Sequence, residues 1–567
     1  MRRVLGLVLV LSAAACSLPL PRDVQTVRAV EAQRRERGDI QVLPPGPKAG
    51  ASPEAVVEGF LGAEANAEGA HGIARQFLTS SEVTAWQDDV EVQVYDPDRV
   101  EVHRVSAANS VHATVEVSSY VTGRVRADGS YTAQTASPVR ESYELQRIRG
   151  EWRLAHVPDG LRLTPADRER SYQPSSVYYL AQAVADSPAH LVPDQVFLPV
   201  GSDRAGSLVR RVLEQPSAAL RGSVTSAFPP GTRARSVVVS GSGIVTVDLD
   251  GALNAQAAAV REGLSAQLVW TLRGLGASFT GLRVLQNGAP VSVPNEGQVQ
   301  DASDWNGFDP EGLGPSPPYY FVATHRLRSV LTLPSGAATA GDPGSGGAFS
   351  VDAVAVSPDR SQFALLEGQS AGPVTVRTGP VRGPFTTGPT APGLSSPTWG
   401  SGQFGLWMLQ ARRQVVLLPN GSRSLRAVTV LGQPTGALES LAMSRDGARA
   451  ALVVGGQPYV GRVEVVSGQP RIVDLSLVLP GLTHATRLAW SSGTELAVLG
   501  ALTRNAQVLR VAVDGSSVTV VNSAGLAPVS VAASSAGLLL GSGSALYELA
   551  GRGFARVQVG GAPVYPG

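Results

Sequence analysis

The chain has 567 residues, a formal net charge of +1, and one cysteine. At about 100 to 200 residues per domain, this length predicts three or four domains. The balanced charge, without a block of Lys and Arg, argues against nucleic-acid binding. A lone cysteine excludes an intrachain disulfide. The single lysine, Lys48, follows a proline, which excludes the Gly-Lys pair of a Walker A loop.

The first residues have the parts of an export signal. Arg2 and Arg3 form a positive n-region, Val4–Leu11 form an apolar h-region, and three alanines follow at positions 13–15. The apolar run is shorter than the roughly 20 residues that a membrane span needs, so we interpret residues 1–15 as a cleaved signal peptide.

Cys16 directly follows the three alanines, and this arrangement resembles the lipobox of bacterial lipoproteins. The resemblance implies cleavage between Ala15 and Cys16, S-diacylglycerol on the Cys16 thiol, and acylation of the new amino terminus. One departure is Ala13, where most lipoboxes have Leu; the alternative is an ordinary signal peptide with a chance cysteine. Residues 16–50, rich in Arg, Gln, Glu and Pro, are then a lipidated tether.

Residues 51–165 predict an α+β domain. Ser52 offers an N-cap and Pro53 a first helical position, apolar residues follow at helical spacing, and a second helix is predicted through Ile73–Leu78. From Val90 to about Val157, alternating β-formers predict a meandering sheet. This order is similar to the cone-shaped NTF2-like fold, whose concave sheet either holds a small ligand or is filled by its own side chains.

Residues 175–294 predict a second α+β unit. Helices are expected around Leu208–Leu213 and Val260–Leu275, strands around 237–249 and 282–285, and a hairpin turn at Asn287 and Gly288. The runs 227–232, 245–249 and 267–272 resemble the GerMN domain of spore-germination and cell-envelope proteins, with which no catalytic activity is associated.

Residues 295–318 are rich in turn-forming residues and are predicted to be a linker. Residues 319–567 contain recurring short motifs. Ser357–Asp359 and Ser444–Gly447 each lead into an apolar strand, and Trp399 and Trp490 mark a second recurring pair. Each pair is about 90 residues apart, or twice the ~40 to 45 residues of a propeller blade. We therefore predict a β-propeller of five or six blades in which two blade classes alternate; the alternative is a β-sandwich.

Signatures of catalysis are weak. The seven histidines lack ligand spacing, and the nucleophile-elbow lookalike at Gly368–Gly372 ends in Gly-Pro, which cannot begin a good helix. Asp248, Asp250 and Gly251 hint at a calcium loop but lack its later ligands. We therefore expect no catalytic residue, no cofactor and no metal.

The order of lipobox, α+β domain, GerMN-like unit and propeller resembles the actinobacterial LpqB lipoprotein family, with matching stretches at Ser52–Leu61, Ala74–Thr79 and Trp86. The resemblance implies a lipid-anchored accessory protein on the outer face of the cytoplasmic membrane. It also implies action on the extracytoplasmic part of an Mtr-type sensor histidine kinase, with consequences for the cell envelope and division.

Two other functions stay open. One is a lipoprotein that binds a cell-wall polymer or small ligand through the N-terminal cone, which predicts an aromatic-rich groove, although aromatic residues are only 5% of the chain. The other is an envelope hydrolase, which needs a convergent acid or base cluster that the sequence does not indicate.

Overall fold

A computed structural model describes residues 44–105, 111–182, 190–314, 316–332, 338–341, 350–368, 372–380, 384–400, 404–502, 507–523 and 525–567. Helix α1, Pro53–Ala63, begins where the sequence predicts it, because the Ser52 side chain accepts a hydrogen bond of 3.3 Å from the Ala55 backbone N–H. Its apolar side buries Val57 and Phe60 in the core of the N-terminal domain.

The second predicted helix is shorter than its apolar pattern indicates. Helix α2 covers only Gly72–Arg75, and α3 covers Ser80–Ala85 with Thr79 as its N-cap. The chain leaves the helix because Phe77 and Thr79 form backbone hydrogen bonds of 2.8 Å with Leu154. Long-range pairing thus overrides local helix propensity here.

One six-stranded sheet completes this domain. Five strands follow the order β5-β4-β3-β1-β6, and β2 pairs with β3. The residues that lead into the middle domain are structured. They form β6, which buries Leu161 and Leu163 in parallel pairing with β1, and helix α4, Pro165–Ser171. The strands are β1 Glu91–Tyr95, β2 Glu101–Arg104, β3 His112–Arg126, β4 Tyr131–Ile148, β5 Glu151–His156 and β6 Leu161–Leu163.

The middle domain has two sheets packed with two helices. Sheet β8-β7-β9 and sheet β10-β11-β12-β13 share one core with α5 and α6. The predicted hairpin turn is confirmed, since Asn287 and Gly288 have φ of 51° and 83° between paired strands. The elements are β7 Tyr172–Ala181, β8 Leu191–Pro199, α5 Arg204–Leu213, β9 Val224–Thr225, β10 Ala234–Val239, β11 Ile244–Leu249, α6 Ala258–Leu272, β12 Gly281–Gln286 and β13 Ala289–Pro290.

The segment after this hairpin is packed rather than extended. Gln300 pairs with Leu282 through backbone hydrogen bonds, and Trp305 is buried in the middle-domain core. Further along, Glu311 contacts the propeller. Residues that read as a linker therefore help to connect the two domains.

The C-terminal part is a β-propeller, as predicted, with six four-stranded sheets in the described residues. The sixth blade contains both ends of the propeller, because its innermost strand β37 pairs with β14. The blades are, from the innermost strand outward, blade 1 with β17 Val351–Val356, β18 Gln362–Glu367, β19 Pro373–Pro380 and β20 Thr386–Pro392; blade 2 with β21 Leu394–Trp399, β22 Leu406–Gln410, β23 Gln414–Leu418 and β24 Arg426–Ala427; blade 3 with β25 Leu438–Met443, β26 Arg449–Val454, β27 Gln457–Val466 and β28 Gln469–Leu477; blade 4 with β29 Thr483–Ser492, β30 Glu495–Ala501, β31 Gln507–Ala512 and β32 Val518–Val521; blade 5 with β33 Pro528–Ser534, β34 Gly537–Ser542, β35 Ala545–Ala550 and β36 Gly553–Val559; and blade 6 with β37 Gly561–Val564, β14 Tyr319–Ala323, β15 Arg326–Thr332 and β16 Ala338–Gly341.

The two sequence repeats fall on alternate blades. Ser357 and Ser444 follow the innermost strands of blades 1 and 3, and each hydroxyl contacts a carboxylate two residues later. Trp399 and Trp490 lie on the innermost strands of blades 2 and 4. The spacing of about 90 residues therefore corresponds to every second blade.

A buried polar junction connects the three domains. The Asp194 carboxylate in the middle domain, only 1% exposed, accepts hydrogen bonds from Ser217 and lies 3.5 Å from Arg211. Arg211 also donates to the Asp128 carbonyl of the N-terminal domain at 2.8 Å, and propeller residue Arg449 donates to the Pro193 carbonyl at 2.6 Å. Burial raises the pKa of Asp194, and Arg211 opposes this shift.

Candidate functional site

A large cavity lies along the axis of the propeller. A cavity of about 1290 Å³ is lined by residues of all six innermost strands. Neighbouring innermost strands are joined by side chains: Thr398 accepts from the Met443 backbone N–H at 3.1 Å, and the Trp490 indole donates to the Ala442 carbonyl at 3.0 Å. The channel wall is therefore fixed by hydrogen bonds between blades.

Each innermost strand carries a β-bulge near its first residue, at the same end of the channel. In every blade, one or more extra residues of the innermost strand interrupt its pairing with the next strand. Bulges re-aim side chains and are common next to functional sites. The bulges contribute these channel-lining residues, in blade order: Asp352, Ser396 with Pro397, Glu439, Thr486, Val529, and Ala562 with Pro563. We call this ring of residues the channel mouth.

The two carboxylates of the channel mouth make equivalent contacts two blades apart. Glu439 in blade 3 accepts from the Gly456 backbone N–H of its own blade at 3.1 Å and pairs with Arg412 of the preceding blade at 2.9 Å. Asp352 in blade 1 accepts from Gly368 of its own blade at 3.0 Å and lies 3.3 Å from the His325 imidazole of the preceding blade. Each carboxylate therefore connects two neighbouring blades at the mouth.

The side chains that meet these carboxylates are carried by tight turns. Thr324 and His325 have φ of 49° and 58°, and Ala411 and Arg412 have φ of 49° and 55°. Positive φ at both central residues is the geometry of a type I′ hairpin turn, which normally selects Gly or Asn. Such backbone strain often accompanies functional positions.

Arg487 is the charged group of the channel lining with no opposite charge. Its guanidinium donates through one nitrogen to the backbone carbonyls of Thr486, at 2.8 Å, and Glu439, at 3.3 Å. Within the described part of the chain, no carboxylate lies within ion-pair distance of it. The side chain is exposed, so the blade 2 to blade 4 side of the mouth carries two guanidinium groups, Arg412 and Arg487, for one carboxylate, Glu439.

The opposite end of the channel is occupied by the chain itself. Arg445 pairs with Glu311 at 3.2 Å and donates to the Pro566 carbonyl at 2.8 Å, and Glu311 also accepts from the Gly493 backbone N–H at 2.8 Å. Burial raises the pKa of the Glu311 carboxyl and lowers the pKa of Arg445, and each opposes the other's shift. The mouth is thus the end that is available to a ligand.

The interior of the N-terminal domain contains a buried charged cluster. Arg162 holds both Glu141 oxygens, at 2.6 and 2.9 Å, and Glu64, which is fully buried, accepts from the Arg162 backbone N–H. Desolvation raises the pKa of Glu64 to about 8, and Arg162 opposes it. Tyr143 beside it is also fully buried, and burial raises its pKa. The cluster is therefore part of the packed interior of the domain rather than a surface that a ligand can reach.

The residues that the sequence singled out do not converge on a site. Ala15 and Cys16 lie outside the described residues, as does the centre of the Gly368–Gly372 motif. Asp248 lies on β11 and Asp250 directly follows that strand, and the two side chains accept backbone hydrogen bonds from Gly288 and Arg233, respectively. Across the described ranges, no group of three or more His, Cys, Asp or Glu side chains could hold a metal ion, and no helix is long and apolar enough to cross a membrane.

Sequence reasoning missed the channel mouth. Asp352, Glu439, Arg412 and Arg487 belong to no motif, and they meet only because successive blades bring their strand starts together. The repeat spacing was the available signal, since Asp352 precedes Ser357 by the same five positions as Glu439 precedes Ser444.

Three family models match the chain in order. They are described as the lipoprotein LpqB N-terminal domain at residues 46–169, a sporulation and spore germination domain at 176–292, and the lipoprotein LpqB beta-propeller domain at 330–566. None of the three describes an enzyme family.

Curated relatives match over nearly the whole length. "Lipoprotein LpqB" of Thermobifida fusca is 31% identical over 89% of this chain and 88% of that protein, and "Lipoprotein LpqB" of Corynebacterium diphtheriae is 26% identical over 95% and 92%. Among solved structures, the first GerMN domain of the sporulation protein GerM from Bacillus subtilis is 17% identical over 23% of this chain and 99% of that chain, with a TM-score of 0.20.

Proposed function

The chain belongs to the LpqB lipoprotein family, and we propose that it is a non-enzymatic accessory protein, anchored by lipid on the outer face of the cytoplasmic membrane. In this proposal the propeller binds the extracytoplasmic domain of an Mtr-type sensor histidine kinase and thereby influences envelope homeostasis and division. The family resemblance supports the kinase as partner.

The observation that carries the binding role is the channel mouth. Its wall is held by hydrogen bonds between blades, its side chains are re-aimed by bulges, and it lies at the end of the channel that the chain does not occupy. A rigid scaffold that presents short loops is suited to binding. Its carboxylates already hold hydrogen-bond donors, an arrangement that favours a structural over an acid–base role.

The lipid anchor rests on Cys16. Diacylation of its thiol with acylation of the amino group gives enough buried hydrocarbon for stable anchoring, which one chain alone does not. Cys16→Ala is expected to move the protein from the membrane fraction to the soluble fraction, and metabolic labelling with a palmitate analogue should label the wild type only. Equal labelling and equal fractionation of the two proteins would contradict the anchor.

The partner is tested by calorimetry. The purified full chain in phospholipid nanodiscs is titrated with the extracytoplasmic domain of the Mtr-type kinase from the same organism, and empty nanodiscs serve as control. Saturable binding with a Kd in the micromolar range or below is expected. Absence of heat together with absence of co-elution would remove the kinase as partner.

A further inference from the structure

We propose that the channel mouth binds an extended polypeptide segment whose carboxylate pairs with Arg487. This inference deepens the proposed binding function by naming the surface and the chemistry of the ligand, while its test does not depend on the identity of the partner.

The positive charge of Arg487 favours a ligand that carries a carboxylate. Arg487 lines the channel, is exposed, and uses one guanidinium nitrogen on the carbonyls of Thr486 and Glu439. The remaining N–H groups of the planar guanidinium are suited to a bidentate contact with a carboxylate. Glu439 contributes only its backbone carbonyl to Arg487, and its carboxylate oxygens instead contact Arg412 and Gly456.

The dimensions of the channel favour an extended chain. An innermost strand such as Val351–Val356 has six residues, which at about 3.3 Å per residue gives a wall about 20 Å long. The cavity of about 1290 Å³ is larger than the roughly 300 to 1,000 Å³ of small-molecule pockets. A segment of about five or six extended residues therefore fits the length.

The wall can also recognise a peptide backbone. Each innermost strand ends its sheet, so in the described residues it pairs with another strand on one side only. A strand edge presents N–H and C=O groups to which an extended peptide can bind. The hydroxyls of Ser395 and Thr486 add side-chain donors and acceptors to the lining.

An exposed apolar residue near Arg487 indicates a second feature of the expected ligand. Val529, on the innermost strand of the blade next to Arg487, is 64% exposed at the mouth. We therefore expect an acidic group adjacent to an apolar side chain. A saccharide fits less well, because the aromatic residues of the lining, Trp490 and Tyr565, are buried and offer no exposed ring for stacking.

The test selects peptides without reference to the kinase. Two libraries of random seven-residue peptides, one displayed with a free carboxyl terminus and one with a blocked terminus, are selected against the purified full chain. Enriched peptides should carry a carboxylate and bind Arg487→Gln at least tenfold more weakly than wild type. Enrichment only in the first library identifies a terminal carboxylate, and enrichment in both identifies Asp or Glu side chains; either result supports the proposal.

Matched variants keep the test specific. Arg413→Gln removes a neighbouring exposed arginine that does not line the cavity and should bind like wild type. Val529→Asp should abolish binding, because it places a competing carboxylate beside Arg487. Thermal unfolding of each variant within about a degree of wild type shows that the fold is intact.

Each of these outcomes would overturn the proposal: no enriched peptide, enrichment from the blocked-terminus library of peptides without Asp or Glu, or equal weakening by Arg487→Gln and Arg413→Gln. Binding of an acidic cell-wall glycan fragment, but of no peptide, would also overturn it. The kinase titration is a separate result, so a kinase that binds equally to wild type and Arg487→Gln retains the proposed function and refutes only the channel mouth as its site.

Discussion

Replacement of Glu64 by Gln should change how the stability of the N-terminal domain depends on pH. Glu64 is fully buried, and burial raises its pKa from the reference value of 4.5 to about 8. In the unfolded chain the carboxyl ionises near 4.5, whereas in the folded domain it keeps its proton up to about 8. The folded state therefore binds more protons between these values, so its stability is greatest below pH 4.5 and falls as pH rises toward 8.

The size of the effect follows from the width of this window. At 1.36 kcal/mol per pKa unit, a shift from 4.5 to about 8 corresponds to about 5 kcal/mol of stability lost across the window. Glu64→Gln cannot ionise, so this loss should disappear. We therefore expect the difference in unfolding free energy between the variant and wild type to increase by several kcal/mol from pH 4.5 to 8.5. The contributions of other titrating groups are the same in both proteins and cancel in this difference.

The assay must report on this domain alone. Urea unfolding of the full chain at several pH values, followed by pulsed hydrogen exchange of the peptide covering Pro53–Ala63, meets this requirement. Glu54→Gln is the control on the same helix, because the hydrogen bond from Arg104 lowers the pKa of Glu54 and the exposed pair should contribute less than about 1 kcal/mol. A difference between Glu64→Gln and wild type that stays constant with pH would refute a raised pKa.

Four further substitutions test the domain junction and the hairpins beside the channel mouth. Asp194→Ala leaves the buried Arg211 with only the exposed carboxylate of Glu214, at 3.7 Å, so we expect a loss of about 3 to 5 kcal/mol in urea unfolding; a loss below 1 kcal/mol would contradict a buried ion pair. Ala411→Gly should raise stability by about 0.5 to 1 kcal/mol because it relieves a positive φ, whereas Gly455→Ala should lower it by a similar amount; shifts of the same sign would be inconsistent with backbone strain. Glu439→Gln should accelerate hydrogen exchange in the 410–414 hairpin and leave the 542–545 hairpin unchanged. Equal rates in variant and wild type would show that the Arg412–Glu439 contact does not hold this hairpin.

Features set by neighbouring residues were predictable from the sequence. The Ser52-Pro53 helix start and the Asn287-Gly288 turn need only local chemistry, and the alternating blades were visible because Ser357 and Ser444 repeat at a fixed interval. These patterns specify the fold class and the propeller without reference to distant contacts.

Features that need long-range contacts were not predictable. Helix propensity continued the second helix through Phe77, yet pairing with Leu154 ended it. The raised pKa of Glu64 depends on desolvation by a sheet that is formed by later residues, and Arg412, Glu439 and Arg487 meet only because three successive blades pack together. No local pattern contains this information.

The pairing of β37 with β14 has a kinetic consequence. During synthesis, β14 is made about 240 residues before its partner strand, so the sixth blade cannot be completed until nearly the whole propeller has been produced. Until then the edge of β14 is open to other strands, and closure of so long a loop belongs to the slow class of folding events. We therefore expect chains that stall within blade 5 to expose this edge and to be the species that aggregates or is degraded.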